Sequence, residues 1–296
     1  MTDIEKTVER LQDHLKTLTQ VIGERSVCFP ENLEKTADYI KSFYQEISIP
    51  AHSQTYAYEN FTAANIIAEV SFCPNPSKCY ILGAHYDSVA GTTGADDNAS
   101  AVAVQLETAR ALQNLKTNEK LDLSVKFVSF TLEEPPGFGT RYMGSRVYAK
   151  KARENKEHTD GMICLEMVGY TSQVQDYPFP LMYMGYPDEG NFIGIIGNPK
   201  SCGLTKSLFR EFKKNPGLPV IKLTVPLSGW ILPSVRLSDH SSFWDEGFKA
   251  VMVTDTAFFR NPHYHQASDT MDTLDFRFMA ELTESLVLFF RSHKQP

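Results

Sequence analysis

The feature that most constrains the fold of this chain is the alternation of short apolar segments with amphipathic segments of helical periodicity. Strands that alternate with helices of about 10–15 residues are typical of βαβ units, in which helices cover a mainly parallel sheet. The sequence therefore predicts an α/β fold, a three-layer sandwich with a mainly parallel central sheet and helices on both faces. The predicted strands cover 64–70, 80–84, 124–132, 162–165, 192–197, 220–225 and 250–253, and the predicted helices cover 4–18, 30–44, 99–113, 140–155, 204–212 and 276–290.

Length and composition indicate one globular unit. The chain has 296 residues, of which 42% are hydrophobic and 22% charged, which excludes a disordered or collagen-like protein. It contains no internal repeat and no Gly/Ser-rich linker, so we expect a single domain over 1–296. The segment 170–191 is too irregular for a helix or strand, and we interpret it as a functional loop.

Charge and hydropathy narrow the range of partners. The formal net charge is −7 without any dense Lys/Arg run, so we expect no nucleic-acid partner. No apolar run approaches the roughly 18 residues of a membrane span, and the charged N-terminal segment lacks the features of a signal peptide. We therefore expect a cytoplasmic protein without a membrane partner. The five cysteines do not indicate a disulfide framework, and the pairing of Cys73 with Cys79 and the oligomeric state stay open.

Polar residues follow the predicted strands at the points where the strands end. In open α/β sheets ligands bind beyond the carboxyl ends of the strands, so these side chains are expected to meet at one edge. Each has an ordinary alternative: an aspartate can cap a helix, a glutamate pair can lie in a solvated loop, and a histidine can be structural. Their joint occurrence at one edge favours a metal site. The candidate ligands are His85, Asp96 or Asp97, Glu133 or Glu134, Glu166, and His263 or His265.

Other catalytic signatures are missing from the sequence. There is no His-Glu-x-x-His helix, no Gly-x-Ser-x-Gly elbow and no phosphate-binding Gly-x-x-x-x-Gly-Lys loop. No cysteine has a histidine partner in a recognisable motif. Metal-dependent chemistry is therefore the interpretation that the residues favour.

Taken in order, the strand-end motifs resemble the co-catalytic zinc aminopeptidase family. That family includes bacterial leucyl aminopeptidases, glutamate carboxypeptidase and glutaminyl cyclases, and the resemblance implies a zinc-peptidase (phosphorylase/hydrolase-like) fold. The matching stretches are AHYDS (84–88), GADDNAS (94–100), LEEPPGFGT (132–140), LEMVG (165–169), SDHSSF (238–243) and YHQASDT (264–270).

The resemblance implies two zinc ions per chain. Asp97 would bridge them, with His85 and Glu134 completing one ion's ligands and Glu166 and His265 completing the other's. Secreted members of the family often carry aspartate where this chain has Glu166, whose longer side chain would shift the metal or the substrate pocket. The family pattern also implies a cis peptide bond after Asp97.

The resemblance further implies catalytic and supporting roles. Glu133 would be the general base and acid that works with a hydroxide bridging the two metal ions. Tyr264 would stabilise the oxyanion, and Asp87 would orient His85. Asp239 and Asp269 would support the site.

The function expected from these residues is that of a metallo-aminopeptidase acting on peptides with a free N-terminus. A glutaminyl cyclase or a carboxypeptidase on the same scaffold are alternatives, and a catalytically inactive binding module is the alternative from another class. A carboxypeptidase needs an arginine for the substrate carboxylate, for which Arg141, Arg236 and especially Arg260 are candidates. Trp230, with Ile231, is the candidate for an apolar wall of the substrate pocket.

Overall fold

A computed structural model describes residues 3–294 and contains one eight-stranded sheet flanked by seven α-helices within that range. Every predicted strand and helix is present, with shifts of a few residues at the ends. The sequence pattern missed the first strand, Ala51–Tyr58, and the short helix His240–Asp245. The elements are α1 (Asp3–Lys16), α2 (Pro30–Glu46), β1 (Ala51–Tyr58), β2 (Phe61–Ser71), β3 (Lys78–His85), α3 (Ala101–Leu115), β4 (Leu123–Phe130), α4 (Gly144–Glu154), β5 (Gly161–Glu166), β6 (Ile193–Gly197), α5 (Cys202–Phe212), β7 (Val220–Thr224), α6 (His240–Asp245), β8 (Ala250–Thr254) and α7 (Phe276–Arg291).

The sheet is parallel at its centre and mixed toward its edges. Its strand order is β1-β2-β4-β3-β5-β8-β6-β7. The central strands β4, β3, β5 and β8 run parallel, whereas β1, β2 and the β6–β8 pair are antiparallel. The expected adjacency of β3 and β4 is confirmed, with His85 opposite Phe130 at their carboxyl ends. The ends of the four central strands therefore lie along one edge of the sheet.

Alternating side chains of the strands enter two separate cores, which makes the fold three-layered. On β3, Leu82 and Ala84 pack into the larger core, while Ile81 faces the smaller one. This follows from the two-residue period of a strand. Apolar residues of α1, α2, α3, α5 and α7 complete the larger core, and those of α4 and α6 complete the smaller one.

Local signals fix several helix ends. Pro30 occupies the first turn of α2, where its missing N–H is not needed. Asp275 caps α7 by accepting a hydrogen bond from the backbone N–H of Phe278. The segment 170–191 is a loop, as expected, with one short 3₁₀ turn at Pro180–Met184.

Two further observations bear on the sequence expectations. All five cysteines are free thiols, so Cys73 and Cys79 are not bonded to each other. Within residues 3–294, no helix combines the length and the hydropathy that crossing a membrane requires.

The larger core generates a stability prediction. Phe127 is fully buried and its ring packs against Tyr44. We expect Phe127→Ala to lower the free energy of unfolding by about 3–5 kcal/mol, because it removes apolar contacts and leaves a cavity. Urea denaturation checks this, with Phe29→Ala as the matched control, since Phe29 is 41% exposed. Equal effects of the two substitutions would contradict the assignment of the core.

Candidate active site

The five expected metal ligands meet at the carboxyl edge of the parallel strands. His85 and Glu166 are the last residues of the neighbouring strands β3 and β5. Asp97 lies in the turn that leads into α3, Glu134 follows β4, and His265 lies in the loop after β8. Rigid strand ends thus place two of the ligands, and three loops place the others.

The carboxylate of Asp97 is shared between the two histidines. Its Oδ1 lies 3.4 Å from Nε2 of His85, and its Oδ2 lies 3.3 Å from Nε2 of His265. Glu166 Oε2 is 3.4 Å from the same His85 nitrogen, and Glu134 Oε2 is 3.4 Å from the His265 nitrogen. Two half-sites, each with one histidine and one glutamate, therefore flank Asp97.

This division differs from the expected one, which placed Glu134 with His85 and Glu166 with His265. The ion-pair distances instead join His85 to Glu166 and His265 to Glu134. Ligand atoms of His85, Asp97 and Glu134 also lie within 4.8 Å of one another, so the two half-sites are contiguous. The order of residues along the chain carries no information on which strand end faces which loop.

The donor set fits divalent cations. His85 Nε2, Asp97 Oδ1 and Glu134 Oε1 are buried side-chain atoms without a hydrogen-bond partner. Within the described residues, only histidines lie within ion-pair distance of Asp97, Glu134 and Glu166. Buried carboxylates without a counter-charge are costly, and imidazole and carboxylate are ligands that zinc accepts. A cation at this position would satisfy all of these groups.

The crowding of charges displaces the pKa values of these ligands in the absence of a cation. Burial raises the pKa of Glu134 to about 8, with the Asp97 carboxylate adding to the shift. Burial opposes protonation of His265, but hydrogen bonds that its ring donates to the carboxylates of Asp97 and Glu134 raise its pKa to about 10. Burial alone would raise the pKa of Asp97, yet the two histidines hold it well below its usual range. A bound cation competes with these protons.

Glu133 lies beside the half-site of His85 and Glu166, and ligand atoms of these three residues lie within 4.8 Å of one another. Its Oε2 is 3.7 Å from His85 Nε2, and burial together with Glu166 raises its pKa well above the ordinary value. Glu133 and Glu134 follow the end of β4, as the predicted strand over 124–132 implies. Leu132, with φ of 57°, takes the left-handed conformation at the turn that precedes them.

Asp87 connects His85, the candidate ligand at the end of β3, to the backbone of Glu133 and Glu134. The His85 Nδ1 lies 3.2 Å from the backbone carbonyl of Asp87 and 3.4 Å from its carboxylate, consistent with the expected orienting role. The same carboxylate accepts hydrogen bonds from the backbone N–H groups of Glu133 and Glu134, at 3.2 and 2.9 Å. One aspartate therefore fixes two segments of the site, and the second of these contacts was not expected from the sequence.

Two side chains hold the turn that carries Asp97. The carboxylate of Asp269 accepts hydrogen bonds from the N–H groups of Asp96 and Asp97, at 2.8 and 3.1 Å. The amide of Asn98 bonds to the carbonyl of Leu165 and to the N–H of Met167, on either side of Glu166. The peptide bond between Asp97 and Asn98 is cis, as the resemblance implies.

Arg25 is a supporting residue that the sequence reasoning missed. It is fully buried, and its guanidinium donates to the carbonyls of Tyr86, Thr93 and Gly94, at 2.7–2.9 Å. Those residues belong to the loop between His85 and Asp97. Burial lowers the pKa of Arg25 to about 10, which leaves it charged at neutral pH. The surrounding sequence contains no motif that distinguishes Arg25 from a surface arginine.

An apolar cavity opens next to the metal ligands. It has a volume of about 90 Å³ and is lined mainly by apolar side chains from β6, β7, β8 and the loops 175–186 and 232–237. Glu166 and Tyr264 belong both to its lining and to that of the small cavity above the ligands. Tyr264 stacks on His265 at 3.8 Å, and burial raises the pKa of its phenol. Tyr264 thus stands at the junction of the two cavities.

Three expected site residues lie in other surroundings. Arg260 is buried, and its guanidinium donates to Gln175 and to the carbonyls of Tyr170 and Phe192, so it is not available for a substrate carboxylate. Trp230 is 67% exposed and is not part of the cavity lining, although the neighbouring segment is. Asp239 is buried near His85, and burial raises the pKa of its carboxyl to about 7. Its role in supporting the site stays a prediction.

The comparison with protein families decides the relationship. The family model described as Peptidase family M28 matches residues 65–289, which include every candidate ligand. The chain belongs to peptidase family M28. This confirms the resemblance on which the assignment of zinc-peptidase motifs was based.

Other members and solved structures agree with this placement. The uncharacterized protein YfbL of Escherichia coli is 34% identical over 297 residues, covering 97% of this chain and 88% of that protein. A probable leucine aminopeptidase of Arthroderma otae is 27% identical over 243 residues, and the alignment covers 78% of this chain but only 57% of that protein. The chain thus matches little more than half the length of that aminopeptidase.

The M28 fold is confirmed by two solved structures. The LapA aminopeptidase of Legionella pneumophila superposes with a TM-score of 0.75 at 18% identity, covering 99% of this chain and 74% of that one. A glutaminyl cyclase of Porphyromonas gingivalis superposes with a TM-score of 0.69 at 16% identity, covering 98% and 99% of the two chains. The three-layer α/β architecture predicted from the sequence is therefore correct.

The shared position of Asp97 predicts how metal content depends on single ligands. We expect two zinc ions per chain in the wild type, one in His265→Ala, and a loss of both in Asp97→Asn, because only Asp97 contacts both histidines. Elemental analysis after dialysis against a zinc buffer measures this. His263→Ala is the matched control, since His263 lies two residues before the ligand His265 and its ring is hydrogen-bonded to Ser268 instead. Retention of two ions by Asp97→Asn would refute the shared role.

Proposed function

We propose that this M28 peptidase is a di-zinc aminopeptidase that hydrolyses the N-terminal peptide bond of peptides with a free amino terminus. The observation that carries the proposal is the Asp97 carboxylate between two histidine–glutamate half-sites, with Glu133 beside them. Asp97, His85 and Glu166 would hold one zinc ion, and Asp97, His265 and Glu134 the other. Bound zinc would supply Lewis-acid chemistry, lowering the pKa of water and polarising the scissile carbonyl.

Glu133 is the candidate general base and acid. A general base works best when its pKa lies near the working pH, and burial together with neighbouring carboxylates raises that of Glu133. Its backbone is fixed by the hydrogen bond to Asp87, so its carboxylate has a defined position. Glu133 would accept the proton of the attacking water and transfer it to the amine that leaves.

Tyr264 and the carboxylate cluster orient the substrate in this proposal. The raised pKa of the Tyr264 phenol keeps it protonated, so that it can donate a hydrogen bond to the carbonyl oxygen as negative charge develops there. The substrate's ammonium group would be attracted by the excess of carboxylates around Asp97. This attraction favours cleavage at the amino end of a peptide.

The apolar cavity beside Tyr264 supports a preference for large apolar first residues. Its walls include Ile196, Leu223, Val235 and Met252, and no lysine or arginine lines it. An apolar side chain that enters the cavity leaves water without stranding a buried polar group. Leucine, methionine and phenylalanine are the first residues that this cavity would accept best.

Glutaminyl cyclisation is the second candidate, because solved cyclases share the fold over nearly the whole chain. Two points favour hydrolysis. The site offers two half-sites, and the cavity presents an apolar wall to a first side chain. A carboxypeptidase is disfavoured, because Arg260 and Arg236 are buried and bonded to other groups, and Arg141 is exposed against Tyr142.

Glu133→Gln separates base catalysis from metal binding. We expect zinc-loaded Glu133→Gln to retain two ions while its kcat on leucine p-nitroanilide falls by about 10²–10⁴-fold, since a glutamine cannot accept the proton. Elemental analysis and steady-state kinetics on the same sample measure both. Loss of an ion from this variant would show that Glu133 is a ligand.

Paired substrates test the type of reaction. A peptide with a free N-terminal leucine should be cleaved, whereas its N-acetylated counterpart should not be, and a peptide that begins with glutamine should lose its first residue without forming pyroglutamate. Mass spectrometry of the products distinguishes these outcomes. Cyclisation without cleavage would establish the cyclase instead, and no turnover by fully zinc-loaded protein would overturn both enzymatic proposals.

The cavity predicts a size-dependent effect of filling it. Leu223→Trp should lower kcat/KM for leucine p-nitroanilide by about ten-fold or more relative to alanine p-nitroanilide. The tryptophan would fill the cavity, so that the leucine side chain of the substrate no longer fits whereas alanine still does. Lys222→Trp is the matched control, since Lys222 is exposed on the same strand and is not part of the lining. A similar change of the leucine-to-alanine ratio in both variants would contradict the placement of the first side chain.

A further inference from the structure

Exposed apolar side chains are concentrated in two segments, 174–184 and 227–237, that also contribute residues to the lining of the apolar cavity. Of the twelve large apolar residues exposed among residues 3–294, ten belong to 174–184, to 227–237 or are Phe258. We call these ten side chains the apolar rim. Met184, Leu181, Leu227 and Trp230 are the most exposed of them, at 85, 75, 69 and 67%. Soluble proteins rarely expose so many large apolar groups together without a binding role.

The apolar rim is continuous with the cavity and the ligand site. Leu237 lines both the apolar cavity and the small cavity above the metal ligands, while remaining 42% exposed. Phe258 also lines the apolar cavity, and its ring packs against Tyr264 at 5.3 Å. A substrate peptide whose first side chain occupies the cavity would therefore bring its second and third residues close to the apolar rim.

Specific contacts hold the rim in its exposed arrangement. The guanidinium of Arg236 stacks on Trp230 at 4.1 Å and bonds to the carbonyl of Ser228 and the carboxylate of Asp245. On the other side of the mouth, the hydroxyl of Tyr183 donates to Asp176. Both loops are thus fastened by polar contacts that leave their apolar side chains facing solvent.

The charge around the rim favours uncharged substrates. The segment 170–191 contains Asp176, Asp188 and Glu189 but no lysine or arginine. Arg236 and Arg260 are buried and bonded within the protein. An acidic residue that followed the scissile bond would meet apolar surface and like charge, without a free cation to compensate.

We propose that the apolar rim binds the residues that follow the scissile bond, so that the preferred substrates are peptides with apolar second and third residues. This inference rests on the proposed aminopeptidase function, which needs an open cavity mouth. A second copy of the chain seated on the rim would cover that mouth. The substrate itself is therefore the occupant that the arrangement favours.

The test compares three tripeptide amides with the same first residue: Leu-Leu-Phe, Leu-Ser-Ser and Leu-Asp-Asp. We expect wild-type kcat/KM to be about ten-fold or more higher for Leu-Leu-Phe than for Leu-Ser-Ser, and lowest for Leu-Asp-Asp. In the double variant M184S/W230S, the ratio of kcat/KM for Leu-Leu-Phe to that for Leu-Ser-Ser should fall to about three or less. Val21→Ser, at an equally exposed residue outside the rim, should leave that ratio at the wild-type value.

Each outcome decides the proposal. Equal kcat/KM values for the three peptides in the wild type, or an unchanged ratio in M184S/W230S, would overturn it. A wild-type dimer that becomes monomeric in M184S/W230S, with the peptide ratio unchanged, would identify the rim as a self-association surface instead. Cleavage of leucine p-nitroanilide without any tripeptide preference would leave the aminopeptidase proposal intact. No cleavage of any of these substrates would overturn both proposals.

Discussion

The structure depends on a cluster of buried carboxylates that, within residues 3–294, form no ion pair with a lysine or an arginine. Asp97 lies between His85 and His265, and Glu134 and Glu166 complete the two half-sites. Like charges at this separation repel strongly in a buried site, so the arrangement persists only if protons or cations occupy it. A pair of divalent ions is the occupant that satisfies every unpartnered ligand atom at once.

The surrounding structure positions this cluster mainly through hydrogen bonds to the backbone. Asp87 and Asp269 accept from the amides of the loops that carry the ligands, and Arg25 donates to carbonyls of the loop between His85 and Asp97. The ends of β3 and β5 provide the rigid part of the frame. Left-handed residues at or next to the ligands, among them Met167 and His265, show that local backbone preference gives way to ligand placement.

The sequence predicted the sheet and its helices because these rest on local patterns, and it named as candidate ligands residues that the structure brings together. Periodicity defines α/β elements, and parallel strands bring their carboxyl ends to one edge. The pairing of His85 with Glu166 could not be predicted, since it depends on which strand ends are neighbours. The roles of Arg25 and Arg260 could not be predicted either, because neither residue type nor spacing indicates that an arginine is buried and hydrogen-bonded to backbone carbonyls. Strand β1 pairs with the adjacent β2, but only one of its eight residues is buried, so it lacks the apolar run by which the other strands were predicted.

Anomalous diffraction at the zinc edge, from crystals of the zinc-loaded protein, tests the central claim most directly. The account predicts two peaks about 3.5–4 Å apart on either side of Asp97, one beside His85 and Glu166 and the other beside His265 and Glu134. A single peak at full zinc occupancy, or two peaks that do not share Asp97, would contradict it.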